Sequence, residues 1–273
     1  MSLTLVRRPV PFKPKRRSLK ALFTTLLTDV GTNSQHLFAN CLGRFDFGAD
    51  RYWIPRFIFR GDRSEHPPLK LGIFAGVHGD ETAGVLAALD FLRLLEAEPF
   101  FGRAYHIYIY PVCNPTGFED GTRLARSGLD LNREFWRDSE QPEVRLLEAE
   151  IQRQRFDGLI SLHCDDTSEG FYGFVRGATL TEHLLKPALA AAEGALPVNA
   201  APIIDGFHAV EGIIRTCYQG VLSAPPGANP APFEIILESP QLAPIALQRQ
   251  ATVLALREIV RHYRRMISFA ANL

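Results

Sequence analysis

His78, Glu81, His163 and Glu238 are the residues of this 273-residue sequence whose types and spacing point to chemistry. Two imidazoles and one carboxylate make a three-ligand set for a catalytic zinc ion, with a fourth position open for water. Only two residues separate His78 from Glu81, one of them Gly79, so a tight turn can aim both side chains at one point, which a distant His163 would close. Zinc held this way brings the pKa of bound water toward about 7 and polarises a carbonyl. Glu238 is then the spare carboxylate, a general base toward that water and afterwards a proton donor to a leaving amine. Taken singly these residues say little: a lone HxxE is a short pattern, an isolated His163 reads as a satisfied buried histidine, and Glu238 as a surface carboxylate at a strand end. The reading rests on all four coinciding. His36, His66, His106, His183 and His208 have no comparable company and read as structural.

The elements that must position these residues are legible as alternating apolar periods. Leu69–Val77 is a compact apolar run of a buried strand, stopping at His78. Thr82–Ala97 follows as a helix, with Val85, Leu86, Leu89, Leu92 and Leu95 on one face and Pro99 as a stop signal. Tyr105–Val112 reads as a second strand, and residues 114–133 as a long polar loop. Glu143–Arg155 has helical periodicity, Gly158–Leu162 is a third strand ending at His163, and Ala188–Ala192 suits a helix. The Pro-rich stretch Leu222–Pro232 resembles an interdomain linker in composition. Because Phe233–Leu237 reads as a strand delivering Glu238 to the same site as His163, a lid or surface loop is the better reading. Pro244 to about Ala270 closes the chain as an amphipathic helix. Strand-then-helix alternation predicts an α/β fold with a mostly parallel central sheet, helices on both faces and the site at the strand ends.

Composition bounds the function classes. Lys and Arg number 30 against 30 Asp and Glu, which removes any global electrostatic reason to expect nucleic acid. The balance conceals an asymmetry: Arg7, Arg8, Lys13, Lys15, Arg16, Arg17 and Lys20 precede the first acid, leaving the body formally at −7. A signal peptide is not expected, because Ala21–Leu27 is short, interrupted by Thr24 and Thr25, and lacks a small-x-small cleavage site. No run approaches the roughly 18 apolar residues of a membrane span. Cys41, Cys113, Cys164 and Cys217 show no CxxC spacing, which fits reduced thiols and a cytoplasmic protein with neither nucleic-acid nor membrane partners.

The motifs, in order, are AGVHGDE at 75–81, NPTGFEDGTRLARSGLDLNREFW at 114–136, SLHCDD at 161–166 and ILESP at 236–240. From about residue 69 onward the chain resembles the zinc carboxypeptidase superfamily. The 114–136 block is similar to carboxypeptidase-like and murein-peptide amidase-like members, and HGDETAG equally to the succinylglutamate desuccinylase and aspartoacylase branch. The resemblance implies a three-layer α/β sandwich with a mixed, mostly parallel sheet and one Zn²⁺ per chain on His78, Glu81 and His163, with Glu238 as general base. It also implies that Arg123 polarises the scissile carbonyl and that Asn132 and Arg133 clamp a substrate carboxylate. Tyr218 matches a mobile substrate-binding tyrosine more loosely, and Arg126 is a second loop arginine with a candidate binding role. Asp165 and Asp166 read as a polar loop, with contact to a substrate amine or a second metal as alternatives. The implied activity is amide hydrolysis of a small peptide with a free carboxylate, the alternative being an N-acyl amino acid deacylase, and a non-catalytic binding module the least favoured. Residues 1–60 read as a basic N-terminal extension packed on or near a catalytic domain of residues 61–273, and homo-oligomerisation stays open.

Overall fold

The apolar runs become strands and the 3.6-residue periods become helices in the computed structural model, which describes residues 17–29, 34–62, 67–179 and 181–270. Helix α1 (Leu19–Asp29) leads into a hairpin of β1 (Leu37–Phe47) and β2 (Asp50–Arg60). Then come β3 (Leu69–Ala75), α2 (Thr82–Ala97), β4 (Tyr105–Tyr110), α3 (Pro115–Asp120), α4 (Pro142–Gln154) and β5 (Gly158–Asp165). The remainder is β6 (Tyr172–Gly177), α5 (Glu182–Ala192), β7 (Ile203–Ile204), β8 (Phe207–Val210), β9 (Ile213–Ile214), β10 (Phe233–Pro240) and α6 (Ile245–Ala270).

All ten strands join one mixed sheet in the order β1-β2-β4-β3-β5-β10-β6-β9-β8-β7. Its central four strands, β4, β3, β5 and β10, run parallel, which carries the ends of β3, β5 and β10 to one edge. The pleat sorts side chains into layers. Leu71, Ile73, Ile160, Leu162, Ile235 and Leu237 pack in one core with residues of α2, α5 and α6, while Phe74, Tyr110 and Leu159 pack with Leu147 and Ile151 of α4 on the other face. The three-layer sandwich is therefore as expected. Among the described residues, no helix is long and apolar enough to cross a membrane.

Several expectations need correction. The polar loop after Asn114 contains α3: Asn114 caps it by accepting from Gly117 N–H at 2.8 Å, Pro115 occupies the first turn, and Gly121 closes it at φ 68°. His163 and Glu238 lie within β5 and β10 rather than just beyond them. The stretch from Leu222 to Pro232 has no regular structure and begins packed down, with Leu222 and Ser223 buried and Trp136 Nε1 donating to Ser223 O at 3.0 Å. Residues 37–60 belong to the sheet itself, since β2 pairs with β4, so residue 60 falls inside one continuous fold. Leu19 and Phe23 of α1 are buried, with Phe23 against Trp53 and Phe57. Arg7, Arg8, Lys13, Lys15 and Arg16 lie outside the described residues.

One buried carboxylate fastens α4 to the sheet. Glu150 accepts from Tyr110 Oη of β4 and Arg56 Nη1 of β2, both at 2.7 Å, and from Gln154 Nε2 at 3.0 Å. Burial works against its ionised form, but the hydrogen bonds from Tyr110 and Arg56 and the Arg56 charge outweigh it and hold the carboxyl below its usual pKa. Arg153 of α4 still pairs with the other carboxylate oxygen, so Arg56→Met removes one of two ion pairs and is expected to destabilise the fold by about 2 kcal/mol in urea titration at pH 7. A depressed carboxylate stabilises above its unfolded pKa, so the difference from the parent is full above about pH 4.3 and closes as acid protonates Glu150.

Candidate metal centre

The loop from β3 into α2 is shaped by contacts that leave no room for side chains. Gly76 turns the chain at φ 60°, and Gly79 lies so close to α3 that a Cβ there would stand 2.0 Å from Gly117 C. This presses the His78-to-Glu81 turn against α3 and puts Glu81 at the N-cap of α2, where its side chain makes no cap. The carboxylate instead bridges two imidazoles. Oε1 lies 2.5 Å from His78 Nδ1 and Oε2 lies 2.9 Å from His163 Nδ1, the latter reaching across from β5. All three residues are buried, and their ligand atoms lie within 4.8 Å of one another.

Both outer ring nitrogens are held as well. His78 Nε2 meets Asp130 Oδ1 at 3.1 Å, and His163 Nε2 meets Ser161 Oγ at 3.0 Å. With Nε2–H donated outward, each Nδ1 can turn a lone pair inward to a metal, the usual arrangement around ligating histidines. Carboxylates at both nitrogens of His78 favour the imidazolium: burial opposes the charge, but Glu81 and Asp130 prevail and raise its pKa to about 8. Glu81 is conversely held far below the usual carboxylate range, the two imidazoles overcoming its burial. Two imidazole nitrogens, one carboxylate oxygen and partners fixing each ring fit a three-ligand metal site with an open position. Among the described residues no second cluster of this kind forms.

The triad lies in a cleft of about 350 Å³ whose walls include Arg123, Asn132, Arg133, Asp165, Asp166, Asp205, Tyr218 and Glu238. Glu238 is registered directly beside His163 on the parallel β5–β10 ladder, which aims both side chains to one face. Burial, and then the charges of Glu81, Asp165 and Asp205, push its carboxyl well above the usual range, against the opposing charge of Arg123. Arg123 reaches within 3.8 Å of Glu81 Oε1 while donating to Asp130 Oδ2 at 3.1 and 3.3 Å. Asp130 therefore orients the His78 ring and the Arg123 guanidinium together.

Arg133 stacks on Tyr218, its guanidinium 4.2 Å from the ring centroid, and donates to Asn132 O at 2.9 Å. The Asn132 side-chain oxygen is engaged, accepting from Leu222 N–H at 2.9 Å, so this residue holds the 222 loop against the cleft. Tyr218 is half-buried and donates to Asp205 Oδ1 at 2.9 Å. Asp165 accepts from Tyr172 Oη at 2.8 Å and from Thr167. Arg126 is not in the cleft. Its guanidinium is gripped by Asp120 at 2.7 and 2.8 Å and also bonds Tyr52, so it ties the loop to β2 rather than binding substrate. The Cys164 thiol is pushed up to about 12 by its burial and by Glu81, which makes it inert rather than nucleophilic. His36, His106, His183 and His208 do not line the cleft, and His66 lies outside the described residues.

Three residues that support the site, Ser161, Asp130 and Asp205, escaped the sequence reading as parts of it. Ser161 carried a usable signal, because two residues before His163 on one strand means the same face. Asp130 is identifiable in sequence only as a turn former, which it also is, accepting from Asn132 N–H at 2.9 Å. Asp205 begins the two-residue hairpin turn Asp205–Gly206 between β7 and β8, and nothing local ties that turn to a metal.

Residues 67–201 match the family described as the succinylglutamate desuccinylase/aspartoacylase catalytic domain. Among solved structures, a Shewanella denitrificans OS217 protein named "putative metallopeptidase" is 25% identical, with 89% of this chain and 90% of that one covered at a TM-score of 0.71. A Shewanella amazonensis SB2B protein of the same name is 22% identical over 89% and 91% of the two chains, also with a TM-score of 0.71. A metallo-carboxypeptidase from Burkholderia cenocepacia is 18% identical, covering 90% of this chain and 68% of its own, with a TM-score of 0.67; at that identity it supports the fold alone. No curated protein matches the sequence. Residues 67–201 of this chain thus carry a succinylglutamate desuccinylase/aspartoacylase catalytic domain, set in a carboxypeptidase-like fold.

Proposed function

We propose that this protein is a zinc-dependent amide hydrolase, with one zinc ion per chain, acting as a carboxypeptidase or peptide amidase on small peptides with a free carboxylate. The observation that carries this reading is the buried His78–Glu81–His163 set sharing one cleft with Glu238 and Arg123. Zinc bound there supplies Lewis-acid polarisation of the carbonyl and acidifies water. The remaining work falls to the chain. Glu238 holds a proton more firmly than an isolated carboxylate, which suits a group that takes one from the attacking water and passes it to the nitrogen as the C–N bond breaks. Arg123, held by Asp130 beside the triad, stabilises charge developing on the carbonyl oxygen. Arg133, its plane set by Tyr218, offers a planar donor pair to the substrate carboxylate, with Asn132 as its backbone support.

The family match over residues 67–201 favours a second substrate class, N-acyl amino acids, cleaved by the same machinery. We also place the protein in the cytoplasm, a reading supported by four free cysteines, two of them buried.

Because metal must displace the proton on His78, whose metal-free pKa is about 8, zinc binding at pH 7 is expected to release close to one proton. Calorimetry in two buffers of different ionisation enthalpy measures this, and affinity should rise with pH until about 8 and then level. Glu238→Gln is expected to retain zinc while turnover falls by about 10²–10⁴-fold; unchanged turnover would remove Glu238 from the mechanism. Peptides varied at the C-terminus, murein peptides and N-acyl amino acids, assayed side by side, separate the two substrate classes. On whichever is cleaved, Arg133→Ala should raise KM by about tenfold or more with a smaller change in kcat. Failure to cleave any of them would leave a binding module.

A further inference from the structure

We propose that Arg17, at the end of the basic N-terminal segment, is a positioning residue for the metal-binding turn; this rests on the metal-site reading above. Arg17 Nη1 donates to the carbonyl of Gly79 at 2.9 Å, between the ligands His78 and Glu81. Its own N–H donates to Glu119 O at 2.9 Å, and its guanidinium lies over the Phe118 ring, 5.6 Å from the centroid, so the side chain is anchored on α3 while it reaches the turn. Gly79 is therefore held from both sides. Its N–H donates to Arg123 O at 3.4 Å, its C=O accepts from Arg17, and the backbone of Gly117 and Phe118 fills the space where a Cβ would stand.

Six atoms of a peptide plane move together, so fixing the Gly79 carbonyl restricts the directions in which His78 and Glu81 leave the turn. Charge and geometry then predict opposite effects. A guanidinium near a dication repels it, so on charge alone removing Arg17 would tighten metal binding. As a hydrogen-bonded brace on the turn, its removal should loosen binding by about tenfold, the lower end of what supporting groups around metal ligands contribute.

The test compares the full chain with Arg17→Met, which keeps an unbranched apolar stem against Phe118 but has no donor, and Arg17→Lys, which keeps a charged donor. Zinc affinity is measured by chelator competition, the visible spectrum of the cobalt-substituted protein reports ligand geometry, and melting of the metal-free proteins serves as a control. The expected result is a tenfold weaker zinc affinity and an altered cobalt spectrum for Arg17→Met, with affinity largely retained in Arg17→Lys and metal-free melting temperatures unchanged within about 2 °C. Affinity in Arg17→Met equal to or tighter than the parent's overturns the proposal, as does a loss accompanied by an equal loss in Arg17→Lys or by a lowered metal-free melting temperature. A parent protein that binds no zinc overturns the metal-site reading itself.

Discussion

Two imidazoles and a carboxylate, all nearly out of contact with water, share one small volume through the bridging of Glu81 between His78 and His163. An uncompensated charge buried there would be expensive, and mutual hydrogen bonding together with opposite charge offsets the loss of hydration. The bridge also sets a demand on the fold. One end of it must come from the turn after β3 and the other from within β5, so these strands must be adjacent and parallel, and they are. The same demand places β10 on the far side of β5, bringing Glu238 level with His163.

Around this bridge the polar groups are arranged in a chain of supports. Asp130 serves His78 and Arg123 at once, Ser161 serves His163, and Asn132 ties the 222 loop to the rim through Leu222 N–H. Fixing the outer ring nitrogens leaves both Nδ1 atoms facing inward, which turns a pair of buried histidines into a preorganised donor set. The cost is a local excess of negative charge on Glu81, Asp165 and Asp205, and it is this excess, added to burial, that raises the Glu238 carboxyl. A dication is the natural counter-charge.

Much of this was legible in the sequence because the informative signals are local. Apolar runs of five to nine residues that end in polar residues marked β3, β5 and β10, and the three- and four-residue spacing of Val85, Leu89 and Leu92 marked α2. The sequence could not reveal what depends on distant contacts. Arg126 has the same composition and setting as Arg123, four residues from Asp130 where Arg123 is seven, yet packing against Asp120 and Tyr52 turns it away from the cleft. Helix α3 was hidden because its six residues carry two turn formers, Pro115 and Gly117, and its stability comes from the Asn114 cap and from tertiary packing. The hairpin at residues 37–60 likewise acquires its place from pairing with β4, a strand some fifty residues onward in the chain.

The most direct test of this account is a crystal structure of the zinc-loaded protein with anomalous diffraction at the zinc edge. The expected result is a single ion bonded to His78 Nδ1, His163 Nδ1 and a Glu81 oxygen at about 2.0–2.2 Å, with Asp130 and Ser161 still on the two Nε2 atoms. An ion ligated through Nε2, an ion at a different set of residues, or no ordered ion in the cleft would contradict it.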